Sequence, residues 1–331
     1  MDFGQNMWVT CWFPLILVVV FFVGNCGARL STEQTKLIFF YGPNYFDHRI
    51  YDFNKLDEIV EHEMYNASQT TVLYIHGYLE SPDSDSVHLI VNAYHARKEH
   101  NLIVLDWSDA AFGDYFIQAV PNSVTLGNIF ATVVLSAFKK GLDREKFHVV
   151  GHSLGAQLAE VMGRKMFLKS NQFQKLKRIT GLDPANPPFF PNILLDHLSH
   201  SDAEFVDIIH SDAGLYGQPI STGTIDFWPN DGMTLQPGCP FRLGIPLSVN
   251  DLCSHQRSVK YYAESVALPK GTTFHAVSAK SWSRFKVDDT NSSNVVNMGI
   301  DCSTNAYGDY YLQTNGEPPF SRGINGLRYL N

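Results

Sequence analysis

The stretch "KFHVVGHSLGAQLAEVMGRK", residues 146–165, decides the fold. An apolar run, Phe147–Val150, breaks at Gly151; Ser153 follows two positions later, and Gly155 two after that. From Leu154 onward, Leu158, Val161 and Met162 fall at helical spacing. A glycine–x–serine–x–glycine run between a strand and a helix is a nucleophile elbow, a tight turn that projects the serine from a sheet edge. Side chains at Gly151 and Gly155 would collide with neighbouring backbone. A helix beginning at Leu154 points its first N–H groups and its positive dipole end at charge developing beside Ser153. The plainer alternative is a strand–turn–helix junction without chemistry, so the rest of the chain has to supply a base, a carboxylate and an oxyanion site.

Working outward, further short apolar runs occur at 71–77, 101–107, 177–183 and 204–212, and each reads as a strand. Helical patterns lie between them at Ser86–Arg97, Val124–Lys140 and Leu154–Leu168. Continuously apolar strands separated by helices predict an α/β fold, a largely parallel sheet covered on both faces. Such sheets carry their chemistry at the carboxyl ends of the strands.

A chain of 331 residues, 44% apolar, suits one large domain, and no internal repeat or Pro/Ser linker divides it. The net charge of -8, with no basic block, excludes a nucleic-acid partner and strong electrostatic capture by anionic membranes. Any attraction to lipid must be apolar. Trp8–Val23 is almost uninterruptedly apolar and runs into Gly24, Gly27 and Ala28, although no Lys or Arg precedes it. As a helix it would span only about 24 Å, short of a bilayer core of roughly 30 Å. Residues 1–28 are therefore expected to be a cleaved signal peptide, 29–331 the mature domain, and the protein secreted. In an oxidising compartment Cys239 and Cys253, which enclose 13 residues, are expected to pair, leaving Cys302 as a buried thiol. Such a bridge contributes about 3 kcal/mol on chain-entropy reasoning. The tripeptides at Asn66 and Asn291 are glycosylation candidates consistent with secretion.

A serine hydroxyl needs a base to take its proton, and the base needs a third group to fix its tautomer. In elbow enzymes the chain order is serine, acid, histidine. Asp183 ends an apolar run that enters a proline turn, which brings a carboxylate to the same sheet edge as Ser153. His255, in "CSHQRSVKYY", follows as the candidate base.

With "IHGY" at 75–78, "VLDW" at 104–107, "GLDPA" at 181–185 and "FVDIIHSD" at 205–212, these motifs resemble, in order and spacing, the pancreatic-lipase-like family of secreted animal lipases and phospholipases A1. The likeness runs from about Leu37 to Leu312. It implies an α/β-hydrolase fold, a catalytic triad of Ser153, Asp183 and His255, and oxyanion donors at the backbone N–H groups of Tyr78 and Leu154.

The same resemblance makes "CPFRLGIPLSVNDLC", 239–253, the lid over the site. It is short, as is the second surface loop, Ala213–Ile225, and both reductions are similar to phospholipases A1, leaving room for a charged head group. Phe241, Leu243, Ile245, Leu247 and Val249 alternate with smaller or polar residues, and an apolar rim that contacts lipid is expected there; packing of the loop onto the body is the alternative. "PPFFPNILL", 187–195, is a second expected wall for the acyl group. At the family's calcium segment Asp202 is present, but His197 and Ser199 stand at expected ligand positions, so no metal or other cofactor is expected. The sequence runs only a little beyond the last motif, so the C-terminal β-sandwich of the larger lipases is expected to be missing and no protein cofactor is implied. The expected function is phospholipase A1 activity at a membrane, micelle or lipoprotein surface. A triacylglycerol lipase or galactolipase, and a non-catalytic lipid carrier or yolk-type protein, are the alternatives.

Overall fold

Eleven strands form one sheet in the order β10-β9-β11-β8-β7-β6-β5-β3-β4-β1-β2. In chain order they are Lys36–Phe40 (β1), His48–Asp52 (β2), Thr70–Ile75 (β3), His100–Asp106 (β4), Phe147–His152 (β5), Leu176–Leu182 (β6), Ala203–Ile209 (β7), Ile225–Pro229 (β8), Phe274–Ser278 (β9), Asn291–Met298 (β10) and Gly308–Leu312 (β11). The computed structural model describes residues 32–170, 174–191, 195–242, 244–267, 274–288 and 290–330. The expected signal peptide, Leu243 and the middle of the 187–195 segment lie outside them, as does the side chain of Asn291.

The parallel centre, β4-β3-β5-β6-β7-β8, contains all five strands expected from the apolar runs. These strands are buried almost throughout, which is why their sequences run apolar instead of alternating. Antiparallel pairs extend both edges, β1 with β2 and β4 on one side and β9 with β10 and β11 on the other. Register brings Ile75 opposite Gly151, His152 opposite Leu182, and Leu182 opposite Ile209. The carboxyl ends of β3, β5, β6 and β7 therefore form one rim.

The helices are Leu56–Val60 (α1), Asp85–Arg97 (α2), Ser108–Ala111 (α3), Val120–Lys139 (α4), Leu154–Lys169 (α5), Cys253–Ala267 (α6) and Trp282–Lys286 (α7). α2 and α6 pack together on the side of Val72, Tyr74, Val104 and Val150 and share one apolar core with them. α5 lies against β3, β5 and β6, and α4 lies along α5. That last crossing is close because residue 127 is glycine: a Cβ there would meet Leu158 O at 2.9 Å. The segment Tyr115–Lys139 is long and apolar enough to cross a membrane, but its Leu126, Phe130 and Val134 are buried in this packing.

Candidate active site

The strand-to-helix turn after β5 holds Ser153 at φ 53° and ψ −120°, backbone angles that residues with side chains rarely adopt. Close packing fixes the turn, since a Cβ at Gly151 would lie 2.6 Å from Ala156 Cα and one at Gly155 2.3 Å from the Ile75 carbonyl oxygen. Asp183 follows β6 and also takes a positive φ, 44°. Its buried carboxylate accepts from three donors: Ser211 N at 2.8 Å and Asp212 N at 3.1 Å on Oδ1, and His255 Nδ1 at 2.6 Å on Oδ2. An ionised carboxylate only accepts, so Nδ1 carries the proton and Nε2 is left as the basic nitrogen of the neutral ring. Gly217 is required here because a Cβ would lie 2.3 Å from Asp183 Oδ1.

His255 lies in the first turn of α6, and its ring centre is 4.8 Å from that of His152, the residue before the serine. The Ser153 hydroxyl is not hydrogen-bonded to His255 in this structure. Catalytic hydrogen bonds are often long without substrate and tighten when it binds. Among the described residues the N–H groups of Tyr78 and Leu154 donate to no partner, and a Cβ on Gly77 would lie 3.2 Å from Ser153 Cβ, so the loop after β3 abuts the serine.

Glu80 organises this loop and was not singled out in the sequence. Its buried carboxylate accepts from Gly77 N at 2.6 Å, Ser86 Oγ at 2.6 Å and Gln256 Nε2 at 2.9 Å, and lies 3.1 Å from His152 Nδ1. One side chain thus ties the 77–78 loop to the elbow and to α6. Burial alone would raise its pKa, but His152 and the hydrogen bond from Ser86 outweigh burial and hold it well below the usual carboxylate range.

The Cys239–Cys253 bridge closes the expected lid, with its Cα atoms 5.7 Å apart, and Cys302 is a free buried thiol, pushed up to about 12 by burial. Among its described residues the lid forms no strand, so Phe241, Ile245, Leu247 and Val249 do not share a strand face. Their exposure is nonetheless high: Phe241 is 80% exposed, Val249 88%, and Ile245 and Leu247 are exposed too. Arg242 anchors the lid to Asp212, stacks over Tyr216 at 5.3 Å and faces Asp251 at 3.7 Å. Burial, then the neighbouring Asp183 charge, pushes Asp212 up to about 6 against the pull of Arg242. Across the site, Leu79, Phe112, Phe116 and Ile117 are exposed, a second apolar group beside the 77–78 loop that the sequence did not reveal. Leu79 N donates to Ala111 O and Tyr78 Oη to Gly113 O, which holds that segment in place. Tyr115 packs on Tyr78 and donates to Pro187 O at 2.7 Å, joining it to the 187–195 segment.

The calcium segment holds a different cation. Asp202 Oδ1 accepts from Arg164 Nε and Nη2 at 3.2 and 3.1 Å, and Oδ2 accepts from Ser199 N at 2.8 Å. Arg164 also pairs with Glu160 and Asp196, and the His197 ring packs at a tilt on Phe190, 4.1 Å between centres. With a guanidinium inside the carboxylate cluster, these residues do not fit a calcium ion. Asn66 is exposed on a turn, its Oδ1 accepting from Ser68 N and Oγ.

A family model described as Lipase matches residues 27–320. The chain is 32% identical over 248 residues to a phospholipase A1 of Vespa basalis, covering 71% of this chain and 78% of that protein. It is 35% identical over 224 residues to lipase member H of Xenopus tropicalis, covering 67% of this chain and 46% of the relative. Vitellogenin-3 of Drosophila melanogaster is 31% identical over 222 residues, 67% of this chain and 50% of that one. A lipase model that spans nearly the whole described fold, with elbow and rim in the arrangement above, makes this chain a member of the lipase family.

Proposed function

We propose that the protein is a secreted phospholipase A1, a serine-dependent ester hydrolase that releases the sn-1 fatty acid from phosphoglycerides. The observation that carries this reading is the 2.6 Å hydrogen bond from His255 Nδ1 to buried Asp183, beside a serine held on a strained turn. His255 Nε2 takes the Ser153 proton as Oγ bonds to the ester carbonyl carbon, and the Asp183 charge stabilises the imidazolium. The N–H groups of Tyr78 and Leu154 receive the oxyanion, each contributing on the order of 10²- to 10³-fold in rate. The carbon–oxygen bond to glycerol then breaks, the proton passes from His255 to the leaving oxygen, and water attacks the acyl-enzyme with His255 again as base.

The choice of phospholipid is supported by the short lid, by an apolar rim on both sides of the site and by relatives named phospholipase A1. Secretion is supported by the disulfide, which persists in oxidising compartments. The vitellogenin relative favours a carrier as the second reading. Against it stands the oriented His255 in contact with Asp183, which lipid carriage does not need. Position-labelled phosphatidylcholine and triolein, incubated with the protein and with its Ser153→Ala form, test this with product identification by mass spectrometry. Release of the sn-1 acyl chain by the parent alone is expected. Release from triolein only would overturn the phospholipase assignment, and no release from either would favour the carrier.

A further inference from the structure

On the opposite face of α6 from His255 lies a cavity of about 580 Å³, within the size range of small-molecule sites. Its walls are largely apolar: Leu89 and Ala93 from α2, Ala263 and Ala267 from α6, and Pro318 and Phe320 from the C-terminal segment. Cys253, one end of the lid, and Gly238, the residue before its other end, also line it.

Two cations face this space. Arg257 is only 3% exposed, and its Nη2 donates to two backbone carbonyls, Pro237 O at 2.9 Å and Gly316 O at 2.8 Å. Its guanidinium carbon sits 4.7 Å from the centre of the Phe320 ring, and its buried Nε has no partner. Among the described residues no carboxylate lies within ion-pair distance of Arg257 or of Lys260, one helical turn further along α6. Buried charges are ordinarily paired, and a buried N–H left without a partner is costly. Glu264, in the same wall, spends its oxygens on Phe320 N and Ser321 N, each at 2.7 Å. Burial and the neighbouring Arg257 charge lower the pKa of Lys260, while Glu317 and Asp85 act more weakly in the other direction. Two adjacent cations with no ion-paired carboxylate, over a largely carbon wall, define a complementary ligand with one negative charge and one chain. The surrounding Glu264, Glu317 and Asp85 disfavour a ligand of higher charge.

We infer that this cavity binds a long-chain carboxylate, its head group on Arg257 and Lys260 and its chain over Leu89, Ala93, Ala263 and Phe320. Such a molecule is also the product of the proposed reaction, but the site stands apart from Ser153 and its recognition rests on its own residues. Because Cys253 is part of the wall, an occupant touches one of the two bridged ends of the lid.

The test is titration of the Ser153→Ala protein with decanoate carrying ¹³C at the carboxyl, below its micellar concentration, followed by NMR and calorimetry. Lys260→Glu, Leu89→Asp and Ala267→Trp forms are compared in the same background, with thermal melts to establish that each is folded. The site predicts saturable binding that weakens by about tenfold or more in Lys260→Glu, equivalent to about 1.4 kcal/mol, and is lost in Ala267→Trp. Decanol and decyltrimethylammonium are expected to bind much more weakly than decanoate. Equal binding by decanol, or undiminished decanoate binding in folded Lys260→Glu and Ala267→Trp proteins, would overturn the inference and assign the binding to the ester site. A parent protein that hydrolyses no lipid yet binds decanoate here would reject the hydrolase reading and leave this one standing.

Discussion

The Gly77 amide donates to Glu80 Oε2 at 2.6 Å, and that bond fixes the loop that carries Tyr78 at the point where Gly77 lies against Ser153. The same carboxylate reaches α6 through Gln256, so one buried group aligns the proposed oxyanion donor with the helix of the base. Glu80→Ala is expected to lower kcat roughly 10- to 100-fold with little change in KM, less than outright loss of an oxyanion donor. It also strands buried donors and should destabilise the fold by about 3–5 kcal/mol. Glu80→Gln, which retains an acceptor for Gly77, should recover most of kcat. Steady-state kinetics alongside denaturant melts separate the two effects, and equal loss in both variants would refute a positioning role.

Asp183 holds Nδ1–H of His255 on a carboxylate that is itself held by two backbone amides. An Asn at this position can present N–H to the ring and favour the wrong tautomer. Asp183→Asn should therefore cost roughly 10⁴-fold in kcat while the melting temperature moves little. Retention of more than a tenth of the activity would contradict the assignment of His255 as base.

The exposed lid residues Ile245 and Val249 face solvent without a protein partner large enough to cover them. If they enter lipid, replacing both by Ser should weaken vesicle binding by roughly tenfold or more, since a buried aliphatic side chain contributes about 1.5–3 kcal/mol. Hydrolysis of a soluble short-chain ester should be unchanged. Vesicle sedimentation and kinetics on the two substrates check this, and parallel losses on both would indicate a lid that packs instead of inserting.

Glu160 is raised to about 8, first by burial and then by Asp202 and Asp196, although Arg164 stands 3.1 Å away. One guanidinium shared among three carboxylates leaves Glu160 short of compensation, and we favour the raised direction. The native state then holds a proton that the unfolded chain, at an ordinary glutamate pKa of about 4.3, has already released. Stability contributed by that proton is full below the unfolded value and is lost as pH rises through about 8. Melting temperature should fall between pH 5 and 8.5, and Glu160→Gln should flatten that fall. A parent curve already flat across this range would refute the shift.

The five central strands and the elbow were legible in the sequence because a strand buried on both faces must be continuously apolar, and because Gly151 and Gly155 answer to local backbone contacts. Ser153, Asp183 and His255 were legible from the elbow, from the serine–acid–histidine order and from the family resemblance, and the structure brings His255 into contact with Asp183. Glu80 was not: its partners Gln256 and His152 are 176 and 72 residues away, and no local pattern marks such a network. Arg164 was hidden for the same reason, its carboxylate Asp202 lying 38 residues on. The lid showed the limit of periodicity, since residues alternate in 241–249 as in a strand and the described part of that stretch forms none.

The central claim is that Ser153 is made reactive by His255. A fluorescent alkyl phosphonate that forms a stable bond to an activated serine, followed by peptide mass spectrometry, tests it directly. The account predicts near-stoichiometric labelling on Ser153 in the parent protein and its loss in a folded His255→Ala form. Absence of label, label on another serine, or full labelling without His255 would contradict it.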